Sequence, residues 1–277
     1  MKNSFIHKNV NRVWEIDFIR GFAVALLVFD HLHFLIAYMF GPAWVKVNFN
    51  GIQFFKDWYV FAINYWEGSL REFFGPFFAA VFIFISGLST TFSKNNFKRG
   101  YLLLLFSFAL SLTSYYVMPS EFIHFGVLSL LSTSMLIWEF INRLFDGNKK
   151  AIVATNAILA VSLIFADYII TQNHIPAPNK LCGFLTEEWA YQVGFMSPGD
   201  FFPLYLNLGC FMLGATIGNT LYKDKKSYIP KLNCFLTKPI NFLGRHSLTF
   251  YIFPQLCFMI IFALISKFCI TGTLVII

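Results

Sequence analysis

Apolar runs of about 20 residues recur along this chain, and the turns between them differ in charge from one to the next. A helix of that length spans the roughly 30 Å hydrocarbon core of a bilayer. Seven spans are read, at 17–40, 73–93, 100–118, 124–141, 151–171, 201–222 and 246–266. The composition agrees: 57% of residues are hydrophobic, 13% are charged, and 37 of the 277 are phenylalanine. Soluble domains carry nearer a quarter charged residues. No internal repeat or composition break divides the chain. The expected fold is all-α: a polytopic membrane protein whose residues 1–277 form a single domain, a bundle of about seven transmembrane helices.

The turns set the orientation. Lys2, Lys8 and Arg12 precede the first span, and Lys94, Lys98 and Arg99 lie between the second and third. Arg143, Lys149 and Lys150 lie between the fourth and fifth. Lys223, Lys225, Lys226, Lys231, Lys238 and Arg245 lie between the sixth and seventh. The other side holds only Lys46, Lys56, Arg71, Lys180 and Lys267. Basic loops stay in the cytoplasm, so the N-terminus is expected there and the C-terminus outside. The opening "MKNSFIHKNVNR" is polar and basic, and the apolar run after it lacks a small-residue cleavage site, so no cleavable signal peptide is expected. The formal charge of +7 comes from these scattered turns, which excludes a nucleic-acid surface. The five cysteines form no Cys-x-x-Cys pair, so neither a disulfide framework nor a thiolate metal site is expected.

Two extracytoplasmic loops are read as long. Residues 41–72 carry Trp44, Trp58, Tyr59, Tyr65 and Trp66; residues 172–200 carry His174, Trp189, Tyr191 and "SPGD". Their aromatics suit either an interfacial belt or a cover whose flat faces receive sugar rings.

The first span, "WEIDFIRGFAVALLVFDHLHF", contains its own puzzle. Asp17 and Arg20 share a helix face near its start, either as a boundary ion pair or with Asp17 orienting Arg20 toward an anionic donor. Asp30, His31 and His33 lie more than two turns deeper, where polar groups are costly and mark function. A neutral imidazole is affordable there and can act as a general base, so His31 is the candidate catalyst. Asp30 and His33, three apart, can pair with each other or orient His31; Asp30 can also reach another helix. His31 and His33 point in different directions, so no metal site is expected. Arg20, Lys98, Arg99 and Arg245 are candidate phosphate contacts on the cytoplasmic rim. His246 and Ser247 sit beside Arg245 at a helix start that favours anions. Asp200 opens the sixth span, either as its N-cap or as a contact for an acceptor amine.

"EIDFIRGFAVALLVFDH" resembles the opening span of the heparan-alpha-glucosaminide N-acetyltransferase catalytic-domain family in its short bacterial form. The membrane acyltransferases that O-acetylate surface polysaccharides show a similar Arg-Gly to His spacing. Four later stretches are similar too: "FIFISGLSTTFSKNNFKRG", "IHFGVLSLLSTSML", "DFFPLYLNLGCFMLGATIG" and "FLGRHSLTFYIFPQ". The resemblance implies a bacterial cytoplasmic-membrane enzyme with acetyl-CoA as co-substrate and no permanently bound cofactor. It passes acetyl to an amine or hydroxyl of a sugar or glycan at the other face. His31 stands where the family carries its functional polar residue; Arg20, Ser86, Gly87, Arg245 and Ser247 match recurrent positions. Family members often have histidines where this chain has Ser129 and Pro254, and residues 41–72 lack the loop histidine of the lysosomal members. A small-metabolite permease and a non-catalytic relative are the alternatives. Association with a second copy of the chain is left open.

Overall fold

The computed structural model describes residues 13–46, 53–117, 119, 122–196 and 200–270. Lys2, Lys8, Arg12 and most of the "SPGD" motif lie outside them. Among the described residues the regular structure is helical, apart from one isolated bridge between Phe125 and Phe201. α1 (Trp14–Phe34) continues through a π-helical stretch (Leu35–Phe40) into α2 (Gly41–Lys46). α3 (Gln53–Trp66), α4 (Ser69–Thr90), α5 (Asn96–Val117), α6 (Val127–Leu144) and α7 (Lys149–Gln172) follow. Then come α8 (Glu187–Val193), α9 (Leu204–Thr220), α10 (Lys238–Arg245) and α11 (Ser247–Ile265).

A long helix lies on each of the seven apolar runs. By length and composition, four stretches are sufficient to cross a membrane: Trp14–Val45, Ser69–Thr90, Lys149–Gln172 and Ser247–Phe268. α9 is only 17 residues long, and α5 and α6 dilute their apolar residues with serine and threonine. Phe108, Ile158, Val161, Phe165, Phe253 and Ile260 are exposed on α5, α7 and α11. So much apolar surface facing outward marks an integral membrane protein.

The long loop expected at 41–72 is instead mostly helix. In α3, Phe55, Trp58, Tyr59, Ala62, Ile63 and Trp66 recur at helical spacing and pack against Ile36, Phe40, Trp44 and Phe262. Aromatics that suit a belt thus form one face of a packed helix. The π-helical stretch brings Gly41 against the Tyr59 ring, where a Cβ would collide. Trp44 Nε1 donates to Ser266 Oγ at 2.8 Å and ties this unit to the end of α11. The 172–200 segment is also partly structured. Thr186 caps α8 by accepting from Trp189 N at 3.2 Å, and Gly194 closes that helix in the left-handed region at φ 69°.

Glycines set the closest helix contacts. A Cβ on Gly87 would strike the Phe211 carbonyl, and one on Gly214 would strike the Phe84 carbonyl, so α4 and α9 meet backbone to backbone. Gly21 and Gly244 do the same for α1 and α10. Around these contacts Val24, Ile83, Leu130, Phe211, Met212 and Ala215 form the main core. Successive long helices alternate in direction, so the start of α1, the end of α4 and the starts of α5 and α11 gather at one end of the bundle. Arg20 marks that end, with bonds to Ser89 of α4 and to the Gly244 carbonyl of α10.

Candidate active site

A cavity of about 560 Å³ opens between α1, α4, α5, α6 and α11. Arg20, Ser89, Arg99, Ser247 and Thr249 line it at the end where α1, α5 and α11 begin. Phe82, Leu103, Leu128, Leu131 and Leu256 wall the remainder, and Tyr251 lines it one turn further along α11. From Ser247 to Leu256 the cavity follows α11 for about 13 Å, at 1.5 Å per residue. It is polar where it begins and apolar along its length. Two guanidinium groups and the N-terminal turn of α11 together favour an anion at its mouth.

His31 sits beyond the Tyr251 ring, edge to face, with ring centroids 5.7 Å apart. Its Nδ1 lies 2.8 Å from the Leu27 carbonyl oxygen. A carbonyl only accepts, so Nδ1–H donates, and in the neutral ring Nε2 is the nitrogen with the lone pair. Asp200 faces the same place. Its carboxylate is within electrostatic range of both His31 and Tyr251. Gln255 lies one turn beyond Tyr251 on α11. Its own Nε2 is buried without a hydrogen-bond partner among the described residues. An imidazole, a carboxylate and an amide thus gather around the phenol of Tyr251, which itself lines the cavity.

Several expected pairings differ. Asp200 does not cap α9, whose N-cap is Pro203; its Oδ2 accepts from Val127 N at 3.1 Å, at the first turn of α6. Gly126 leaves room for it, since a Cβ there would collide with that oxygen. Asp17 does not orient Arg20. It pairs with Arg245 at 3.5 Å because α10 folds onto α1, where Gly21 and Gly244 let the backbones touch. Arg245 closes α10 rather than opening a helix, and His246, packed on Phe242, is the N-cap of α11. Neither lines the cavity, whereas Arg20, Arg99 and Ser247 do.

Of its alternatives Asp30 takes the last, reaching other helices rather than His33. Arg71 Nε and Nη2 reach the two Asp30 oxygens at 3.2 Å each, and Tyr65 Oη donates to Oδ1 at 3.0 Å. The guanidinium stacks over Trp66 at 3.5 Å. His33 is 3% exposed and enclosed by Phe29, Phe61 and Tyr65. This cluster joins α1 to α3 and α4. Asp30→Ala strands the Arg71 charge and should cost about 2–3 kcal/mol. Asp30→Ala with Arg71→Leu should recover most of that loss, as read by thermal melting in detergent.

Residues 12–256 match the family model described as "Heparan-alpha-glucosaminide N-acetyltransferase, catalytic". The chain belongs to this family. Heparan-alpha-glucosaminide N-acetyltransferase domains use acetyl-CoA as donor, so the membership implies a membrane acetyltransferase-like protein. No curated protein and no solved structure gives a significant match. Where other family members often carry histidines, Ser129 bonds to Ser107 at 3.1 Å and Pro254 lies inside α11. Tyr251 and Gln255 lie within the stretch "FLGRHSLTFYIFPQ", but polar residues four apart in a helix say nothing about which neighbour they meet. Above the bundle, the Glu188 carboxyl is held below its usual range by hydrogen bonds with Gln192 at 2.9 Å and His174 at 3.1 Å. That tie is present at neutral pH and is lost as pH falls through the lowered value.

Proposed function

We propose that this chain is a bacterial cytoplasmic-membrane acyltransferase moving acetyl from acetyl-CoA to an amine or hydroxyl of a sugar or glycan on the far side. The observation that carries the reading is the cavity that begins at Arg20 and Arg99 and runs past Tyr251, against which His31 packs. Seven helices cross the bilayer in this reading, with the N-terminus in the cytoplasm. The arginine end then faces cytoplasmic donor, and Asp200 lies toward the acceptor.

Arg20, Arg99 and the first turn of α11 receive the donor phosphates, and the apolar walls suit a thin acyl-bearing arm. His31 Nε2 removes the proton from the acceptor amine or hydroxyl as that atom attacks the thioester carbonyl carbon. A C–N or C–O bond forms, the C–S bond breaks, and the thiolate departs with the bonding pair. In this reading Gln255 Nε2 donates to the developing oxyanion, and Asp200 stabilises the imidazolium that forms. Tyr251 lines the cavity and packs on His31, so it lies between the donor arm and the base. Asp30 and His33 position the helix that carries His31, without touching substrate.

Arg99→Ala and Arg20→Ala should each weaken CoA binding about 10-fold, the scale of one charged hydrogen bond. Arg20→Ala should also melt earlier, because Arg20 ties α1 to α4 and α10. Calorimetry in detergent with CoA checks this, and unchanged affinity in both variants would leave the arginines to topology alone. Orientation is tested with Asn148→Cys and Lys180→Cys, both at exposed positions. An impermeant thiol reagent should reach Lys180→Cys in intact spheroplasts and Asn148→Cys only after lysis. Labelling of both from one side would remove the seven-crossing arrangement.

A further inference from the structure

Between α9 and α11 the chain presents a surface that the acyl-transfer reading does not use. Leu221, Tyr228, Ile229, Leu232, Phe235, Leu236 and Phe242 are all exposed, with Phe235 and Leu236 about four-fifths uncovered at 78% and 81%. Lys223, Lys225, Lys226, Lys231 and Lys238 are exposed among them, and Asp224 is the only acid between 221 and 242. The segment is not a loose loop. Tyr228 N donates to Glu15 Oε1 at 2.8 Å, Trp14 Nε1 donates to the Ile229 carbonyl at 3.2 Å, and Tyr228 Oη donates to the Leu221 carbonyl at 2.6 Å. Trp14 is the first residue of a membrane-length helix, so these bonds hold the strip level with the edge of the apolar belt.

We infer that residues 221–242 form an interfacial anchor that binds anionic phospholipid. Phe235, Leu236 and Leu232 enter the acyl boundary while the lysines meet lipid phosphates. Both halves of this pattern are needed: apolar area for insertion, and cations for the negative headgroup. Water does not suit the apolar half. A second copy of the chain does not suit the basic half, because it would bring five lysines against five. Lys225 and Lys238 stack on Phe92 and Phe235, which brings cation and ring to one level, as a headgroup boundary requires. The inference is independent of whether the protein transfers acetyl.

Cys234 is exposed and lies inside the strip, so it can carry an environment-sensitive fluorophore, with Cys234→Ser as the blank for labelling elsewhere. The labelled full chain is placed in nanodiscs of phosphatidylcholine, alone or with added phosphatidylglycerol. Acyl-chain nitroxide lipids should quench the label, and aqueous iodide should not. Competitive lipid exchange should show preference for phosphatidylglycerol. Lys223→Gln with Lys226→Gln and Lys231→Gln should reduce that preference at least about 10-fold. Phe235→Ser with Leu236→Ser should move the label into iodide reach while the protein melts as before. Iodide quenching of the parent, or equal preference for both lipids, would overturn the anchor. So would a doubled mass in detergent that the Phe235→Ser and Leu236→Ser variant returns to monomer, since the occupant would then be a second copy.

Discussion

His31→Ala should reduce acetyl transfer about 100-fold or more, the usual scale for removing a general base, while the protein still folds. The histidine makes one side-chain hydrogen bond, to the carbonyl of its own helix at Leu27, and one ring contact, to Tyr251. Alanine suits a membrane helix and removes a polar group from its interior, so melting should shift little. His33→Ala should do the reverse. Its ring fills a closed aromatic space, and losing it should cost about 2–3 kcal/mol while the folded fraction keeps its turnover. The measurement is turnover of purified variants with acetyl-CoA and a panel of amino sugars, beside thermal melting of each. Near-parental transfer by His31→Ala would remove this residue from the mechanism. If the parent neither binds CoA nor transfers acetyl, yet moves a solute across vesicles, the protein is a permease.

Gly214→Ala should be among the most destabilising single-methyl changes in the molecule. The added carbon meets the Phe84 carbonyl, a backbone atom of α4 that cannot rotate away. Separating the helices opens the contact that also holds Gly87 against Phe211. A loss of about 3 kcal/mol is expected, read as a fall in melting temperature of roughly 10 °C. Gly75→Ala is the control. Beyond its chain neighbours, the nearest atoms to its Cβ are those of the Arg71 side chain at ordinary contact distance, 3.5 Å, so the loss should be well below that of Gly214→Ala. Equal melting of Gly214→Ala and the parent would mean that α4 and α9 do not meet backbone to backbone at this point.

The two predictions rest on different kinds of information. That His31 is special could be read from the chain, because a polar residue in an apolar run is costly wherever the run ends up, and its spacing from Arg20 is fixed by one helix. That Gly214 is special could not, because a glycine in an apolar run gives no sign of what lies opposite it.

Local chemistry determined the helices by itself. Long apolar runs leave a helix as their structure in lipid, and their family stretches were recognisable one by one. The same local reading misplaced 41–72, since aromatic residues at helical spacing look like a belt until a partner face is known. Tertiary structure alone decided the partners. Asp30 met Arg71 rather than His33, Asp17 met Arg245 rather than Arg20, and Asp200 reached α6 rather than its own helix. A charge has several neighbours in sequence that it can pair with at similar energy; glycines that let helices come close make the choice for Asp17 and Asp200, and the packing of α3 and α4 on α1 makes it for Asp30. The cavity has the same origin. Arg20, Arg99, Ser247 and Tyr251 come from three helices, and only the packing of those helices brings them to one space.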